Sequence, residues 1–328
     1  MLISQDRPMA TIILFAYNQE DLVVEAVESL LAQTYSPLEI ILSDDCSSDN
    51  TFNRMRSLVD GYSGTHRIKL NRNKNNLGVV AHVNAAVALA EGELIFGAAG
   101  DDISLPERCE KVVAFWVESG KKSDLIATDA YDLAFDGQIL GIKSTDKLEN
   151  WTSVEDWFLR RPFIFGASFV WSRSLVDRFG PLNSYLKQED QIITFRAILT
   201  GSAVCLPEPL VMHRRGGVSQ KDHSLDFNEK CKAITSGNAN GLAFIAQCIK
   251  DASVLGQGDL VGSRFNNQLS SHLMINDLFN AHSILQKCKI VFSAKNVRFD
   301  KRVRFLIYAG FPWIMKSFFW IKNIYKKA

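Results

Sequence analysis

Two apolar, strand-length runs end in adjacent carboxylates. Leu38-Glu39-Ile40-Ile41-Leu42-Ser43 leads into Asp44-Asp45, and Glu93-Leu94-Ile95-Phe96 leads through Gly97-Ala98-Ala99-Gly100 into Asp101-Asp102. Neighbouring carboxylates repel one another unless a divalent cation or a hydroxyl-rich ligand joins them. A single pair is equally a helix cap or a turn. Two pairs in consecutive strand-helix units favour a ligand site, because α/β sheets bind ligands at the carboxyl ends of their strands. A third pair, Glu189-Asp190, precedes a helical run over 191–199. Acids suit a helix N-terminus, and a carboxylate there can also take a proton as a general base. Pro207 to Met212 reads as a strand that ends in His213-Arg214-Arg215-Gly216-Gly217. Cations and glycine-freed amides suit a pyrophosphate, although a charged surface loop has the same composition.

The elements that must position these groups alternate. Residues 11–16 form an apolar strand between Pro8 and Tyr17-Asn18. Asn18, with Asp21 three positions on, reads as the N-cap of a helix over 19–33, in which Val23, Ala26, Val27, Leu30 and Leu31 recur at helical spacing. A strand over 38–42, a helix over 49–59, a strand over 67–70, a helix over 76–91, a strand over 93–96, a helix over 106–120 and a strand over 125–128 follow. Residues 151–217 mix helices with short strands, and 225–290 read as helical. Strands alternating with helices of this length predict an α/β fold with a mainly parallel sheet. Neither G-x-G-x-x-G nor a Walker A sequence follows the first strand, which argues against a dinucleotide fold or a P-loop ATPase.

Composition places limits on this reading. A chain of 328 residues with 47% hydrophobic and 22% charged residues holds one large α/β domain and an appendage. Its six cysteines (Cys46, Cys109, Cys205, Cys231, Cys248, Cys288) form no C-x-x-C cluster, and no signal peptide is evident. Reduced thiols in a cytoplasmic protein are expected. The net charge of +1 conceals an asymmetry: 11 of the 37 Lys and Arg, but one of the 36 acids, lie between Lys287 and Ala328. A basic tail on an acidic body predicts an anionic surface as partner.

The motifs, taken in order, resemble those of family 2 glycosyltransferases. The first strand ends in Ala16-Tyr17-Asn18 and is followed by Glu20; Ser29-Leu30-Leu31-Ala32-Gln33-Thr34-Tyr35 comes next; and Asp44-Asp45-Cys46-Ser47-Ser48-Asp49-Asn50-Thr51 stands where the family has D-D-G-S-x-D-x-T. Asn76-Leu77-Gly78, Asn84 and Ala90-Glu91-Gly92-Glu93 continue the series, as do Asp101-Asp102 and Gln188-Glu189-Asp190 with Arg196. The resemblance covers about residues 10–220. It implies a GT-A fold, with a mixed, mainly parallel sheet, flanking helices and here a helical C-terminal region. It also implies inverting transfer from a nucleotide sugar with Mg²⁺ or Mn²⁺ as cofactor. Asp190 with Glu189 would be catalytic. Ala16, Tyr17, Asn18, Glu20, Asp44, Asp45, Asn76, Gly78, Asp101, Arg214 and Arg215 would bind the nucleotide sugar, and Asp102 and His213 the metal. Two departures stand out. Ala99-Gly100 precedes Asp101-Asp102 where relatives have a further acid, and Val83 occupies a position that is usually basic.

Three segments are expected: a catalytic domain over 1–222, a helical extension over 223–294 and a tail over 295–328. In the tail, Phe305, Leu306, Ile307, Phe311, Trp313, Ile314, Phe318, Phe319, Trp320 and Ile321 lie among Arg302, Arg304, Lys316, Lys322, Lys326 and Lys327. Pro312 and Lys316 interrupt the span of about 20 apolar residues that a membrane crossing needs, and aromatics beside cations suit an anionic membrane surface. The expected partners are a UDP-sugar, a glycan or lipid-linked acceptor and the inner face of the cell membrane, with no nucleic acid. The resemblance implies synthesis of bacterial surface polysaccharide. Three other readings stay open. A sugar nucleotidyltransferase would carry a glycine-rich basic loop where Tyr17-Asn18-Gln19-Glu20 stands. A phosphoacceptor signalling domain would be far shorter. An inactive sugar-binding scaffold would fit the missing acid.

Overall fold

The structure is a computed structural model that describes residues 7–216 and 226–316. The chain divides into two compact units, Met1–Ser219 and Gln220–Ala328. In the first unit the strands are β1 (Ala10–Ala16), β2 (Leu38–Asp44), β3 (Arg67–Arg72), β4 (Leu94–Ala99), β5 (Ile103–Ser104), β6 (Leu125–Leu133), β7 (Ile139–Lys143), β8 (Val170–Ser172) and β9 (Ala203–Arg214). Its helices are α1 (Val23–Leu31), α2 (Thr51–Asp60), α3 (Val79–Val87), α4 (Arg108–Glu118), α5 (Val154–Leu159), α6 (Arg173–Phe179) and α7 (Asp190–Leu199). The strands form one mixed sheet in the order β3-β2-β1-β4-β8-β6-β9-β5, with β7 paired to β6. From β3 to β4 the strands run parallel. At β8 the sheet turns antiparallel, and β6 and β9 run parallel to each other.

The hydrophobic pattern explains the first half of this sheet. Ile12, Leu14, Ile40, Leu42, Phe96 and Ala98 occupy alternate positions and point to one face. There they pack against Val23, Ala26, Val27 and Leu30 of α1 and Val112, Val113 and Trp116 of α4. The intervening Ile13, Ile41 and Ile95 are equally buried, as expected of parallel strands covered on both faces.

Several boundaries differ from the sequence reading. Asn18 is not an N-cap: its backbone is left-handed, with φ of 51°, and its side-chain oxygen accepts from the Ser48 amide at 2.9 Å. The neighbouring Gln19 and Glu20 amides donate to Thr51 and Asp49 across the loop, so α1 starts only at Val23. The third helix is shorter than 76–91 because Gly78, with φ of +79°, ends a loop that other groups hold. The strand expected over 207–212 extends from Ala203 to Arg214. Register shifts opposite Asp129 accommodate its prolines.

The second unit is helical: α8 (Phe227–Val254), α9 (Gly258–Asn280), α10 (Ile284–Ser293) and α11 (Phe299–Gly310). Met274, Ile275, Leu278, Val291 and Val297 form its core, with Phe305, Leu306 and Ala309 of α11 packed partly buried against it. The helix ends at Gly310, ahead of Pro312. Among the described residues no helix is long and apolar enough to cross a membrane. Phe318, Phe319, Trp320, Ile321, Lys322, Lys326 and Lys327 of the expected tail, and Gly217, lie outside the described residues.

Candidate active site

Backbone hydrogen bonds bring the ends of β1, β2 and β4 into one edge. The Asp45 amide donates to Ala16 O at 3.0 Å and the Gly100 amide to Phe15 O at 3.0 Å. Any side chain at Gly100 would collide with Gln19 and Ala16. Ala16, Tyr17, Asn18, Asp44, Asp45 and Asp101 are therefore neighbours at the carboxyl edge of the sheet. Tyr17 is exposed there. Glu20 braces the same loops, accepting from the Asn50 amide at 2.9 Å.

Each carboxylate of the first pair is held by protein donors. Asp44 is fully buried; one of its oxygens accepts from the Ser47 amide at 3.0 Å and faces Arg72, while the other has no partner. Asp45 accepts from Asn73 Nδ2 (2.8 Å), the Leu77 amide (2.9 Å) and the Gly78 amide (2.9 Å). Asn76 Oδ1 shares the Gly78 amide at 3.0 Å. Asp45 thus shapes the 73–78 loop, and Gly78 supplies a backbone angle that L-residues disfavour. Beneath the pair, His82 points into the sheet and meets Ser43 Oγ at 2.7 Å. Burial pushes its pKa down, against the pull of Asp45 and Asp44.

The second pair has fewer partners. Pairing of Ile103 with Met212 brings the His213-Arg214-Arg215 segment beside it. Asp102 is buried and accepts from the Arg214 amide at 2.8 Å. Burial and the adjacent Asp101 charge push its pKa up to about 7, with the Arg214 amide, Arg108 and Arg214 opposing. The Arg214 side chain turns away, to Asp101 O at 3.1 Å and Glu25 Oε2 at 2.6 Å. Arg215 pairs with Asp132, as does Lys143. His213 is half-buried, its Nδ1 without a partner. Burial and Lys143 lower its pKa, and Asp101 and Asp132 pull it back.

Glu189 and Asp190 open α7. The Asp190 carboxylate lies over Gly166, 3.1 Å from where a β-carbon would stand. Burial and the neighbouring Asp190 raise the Glu189 pKa, which favours its protonated form beside Asp190. Arg196 donates to Gly180 O at 2.9 Å and lies over Phe179. Asn84 both donates to and accepts from the Leu182 backbone, at 2.7 and 2.9 Å, tying α3 to the segment ahead of α7.

A family model for glycosyl transferase family 2 matches residues 11–188. The chain belongs to this family. It is 41% identical over 108 residues to a putative glycosyltransferase, EpsE, of Bacillus subtilis, covering 33% of this chain and 38% of that one. It is 32% identical over 107 residues to an Escherichia coli protein named UDP-Glc:alpha-D-GlcNAc-diphosphoundecaprenol beta-1,3-glucosyltransferase, covering 33% and 41%. The chain thus spans about two-fifths of the length of these curated relatives. Residues 1–349 of Staphylococcus aureus TarS, in complex with UDP-GlcNAc, share its fold with a TM-score of 0.53 and 19% identity over 91% of this chain and 89% of that one. The mixed sheet with flanking helices is the GT-A arrangement implied by the motifs. The family match stops one residue short of Glu189.

One family-domain residue that the sequence reading passed over is Arg108. It is fully buried; its guanidinium donates to Ser104 Oγ (3.0 Å), Gly97 O (2.9 Å) and Ala167 O (2.9 Å) and lies over Phe96. It makes no ion pair among the described residues. Burial lowers its pKa to about 10. Its donors join β4, the strand after Asp102 and the turn that carries Gly166, so the metal-motif side and the Asp190 side share one brace. The sequence signal was spacing: Arg108 falls in line with Val112 and Trp116, on the buried stripe of α4.

A divalent cation fits this donor set. Among the described residues no three His, Cys, Asp or Glu side chains converge to hold a metal unaided. Buried Asp102, with its raised pKa, the adjacent Asp101 and the unpartnered Nδ1 of His213 instead match the partial set that Mg²⁺ completes with substrate phosphates and water.

Proposed function

We propose that the chain transfers a sugar, with inversion, from a nucleoside diphosphate sugar to a hydroxyl of a lipid-linked glycan in bacterial surface polysaccharide synthesis. The observation that carries this is the Asp190 carboxylate on Gly166, in a turn that Arg108 ties through Ala167 O and Gly97 O to β4, the strand leading into Asp101 and buried Asp102. UDP-sugar is the first donor to test, in line with the UDP-Glc in the name of the Escherichia coli relative and the UDP-GlcNAc bound to TarS. GDP-Man is the second, since a Pyrobaculum calidifontis mannosyltransferase of the same fold binds it with Mn²⁺ (TM-score 0.50, 14% identity, 98% of this chain and 88% of that one).

Asp190 takes the proton of the attacking hydroxyl. The acceptor oxygen forms its bond to the anomeric carbon as the bond to the diphosphate oxygen breaks on the opposite face. Protonated Glu189 keeps a second negative charge away from the base. The 73–78 loop, shaped by Asp45, and the Tyr17-Asn18 segment border the nucleotide. Asp102, Asp101 and His213 would hold Mg²⁺ or Mn²⁺, which offsets charge on a departing diphosphate.

The second unit supports a place on the inner face of the membrane. Leu285, Phe292, Phe299 and Trp313 are exposed among Lys289, Lys295, Lys301 and Lys316, a combination suited to anionic headgroups. Incubating the protein with UDP- and GDP-sugars, with and without EDTA, tests the transfer reading. Metal-dependent release of nucleoside diphosphate is expected from at least one donor, and release from none rejects it. Co-sedimentation with phosphatidylglycerol vesicles should fall when Phe292, Phe299 and Trp313 are changed to Ser.

A further inference from the structure

The segment between α5 and Gly166 is fixed in place but presents an aromatic ring to water. The Phe163 amide donates to Asp146 Oδ2 at 2.7 Å, and the Phe163 carbonyl accepts from the Asp146 amide at 2.9 Å. The same carboxylate binds Arg160 at 2.9 Å. Trp151 donates to Arg160 O at 2.6 Å, and Gln191, next to Asp190, donates to Pro162 O at 3.4 Å. Despite this bracing the Phe163 side chain is 57% exposed, while Phe165, two residues on, is 8% exposed. Leaving a large apolar ring in water on a rigid segment forgoes the burial that stabilises a fold.

The ring is aligned with the site. Phe163 meets Phe165 edge-on at 5.0 Å, and Phe165 lies 5.8 Å from the His213 ring. This row of rings leads from the surface to the Asp101-Asp102 side. On the other side, Gly166 lies against the Asp190 carboxylate. Three residues of chain reach at most roughly 10 Å, so a pyranose whose hydroxyl meets Asp190 has its ring within reach of Phe163. The C–H face of a pyranose carries slight positive charge and complements the negative face of an aromatic ring.

We propose that Phe163 is the acceptor platform: the sugar bearing the attacking hydroxyl stacks on its exposed ring. This rests on the transfer reading above and names a determinant of acceptor choice that the motifs leave open.

The test places 4-fluorophenylalanine at position 163 and follows its fluorine resonance in full-length protein with UDP present. The probes are methyl α- and β-pyranosides of glucose, galactose, mannose and N-acetylglucosamine, with glucitol as an acyclic control. At least one pyranoside should shift the resonance saturably, and glucitol should not. A resonance that no pyranoside moves, or that moves only with phosphatidylglycerol vesicles, overturns the proposal. In transfer assays Phe163→Ala should raise the acceptor KM about tenfold and leave donor hydrolysis and donor KM within about twofold. Phe163→Trp should restore the acceptor KM, and Phe163→Leu should not. A Leu variant equal to wild type overturns the stacking role. Absence of donor hydrolysis in the wild type would instead count against the transfer reading, and the fluorine result stands apart from it.

Discussion

Asp45 accepts three hydrogen bonds from the 73–78 segment, whereas Asp102 accepts one, from the Arg214 amide, and is buried beside a second acid. The motifs give both as carboxylate pairs at strand ends. In the first, Asp45 is satisfied by protein donors and so organises a loop, while buried Asp44 keeps one oxygen without a partner. The second is left short of positive charge, with a pKa pushed up to about 7. A buried carboxylate whose pKa is pushed up beside a second acid is a candidate for a cation or substrate site. The Glu189-Asp190 pair is a third case, in which burial and the neighbouring acid favour the protonated form of Glu189.

The largest effect should come from that third pair. Asp190→Asn removes the proton acceptor and should lower transfer turnover by about 10² to 10⁴-fold, with donor Kd from calorimetry unchanged. Turnover within a factor of three of wild type would move the base elsewhere. Asp102→Asn should cost about 10²-fold in turnover and abolish the calorimetric signal of Mn²⁺ titrated with UDP. If Asp102 held no cation, the metal titration would survive. Asp45→Ala should instead release the 73–78 loop. We expect about a tenfold loss of UDP affinity, faster amide exchange at Leu77 and Gly78, and an intact metal response. Failure of the metal response in both variants would erase the distinction between the pairs.

The smallest effect concerns Glu189. Its folded pKa, about 8, lies above an unfolded value of roughly 4.3, so the folded state binds more protons. Its contribution to stability is full below the unfolded value and is lost as pH rises through about 8. Relative to Glu189→Gln, the wild-type Tm should fall between pH 5 and 9. In transfer assays the Gln variant should keep near-normal turnover at neutral pH and lose the wild-type alkaline decline. A parallel pH profile in the two proteins would show that the pair does not share its proton.

Much of the donor half was legible because local pattern and tertiary role agree there. Continuous apolar runs located β1, β2 and β4, and their acids fall where parallel sheets gather ligands. Asn18 misled because capping residues also serve left-handed turns, and only the cross-loop partner Ser48 decides between the two. The acceptor half was less legible. Neither the pairing of β9 between β6 and β5 nor the approach of Gly166 to Asp190 leaves a periodic trace. Arg108 was hidden for another reason: a cation at the start of an amphipathic helix reads as solvent-facing, and only the carbonyls of Gly97 and Ala167 explain its burial.

The two-residue β5, which continues directly from Asp101-Asp102, pairs with β9 alone, and β9 is the last strand of the unit. During synthesis the acids at positions 101 and 102 therefore emerge about a hundred residues before the strand that seats them. Contacts this distant in sequence form late and slowly. A nascent chain that has already built β1 to β4 has its Asp45 loop but no ordered Asp102. Cation binding at Asp102, as proposed above, would then be a late event of folding, and a ribosome-held chain ending before residue 203 should ignore Mn²⁺.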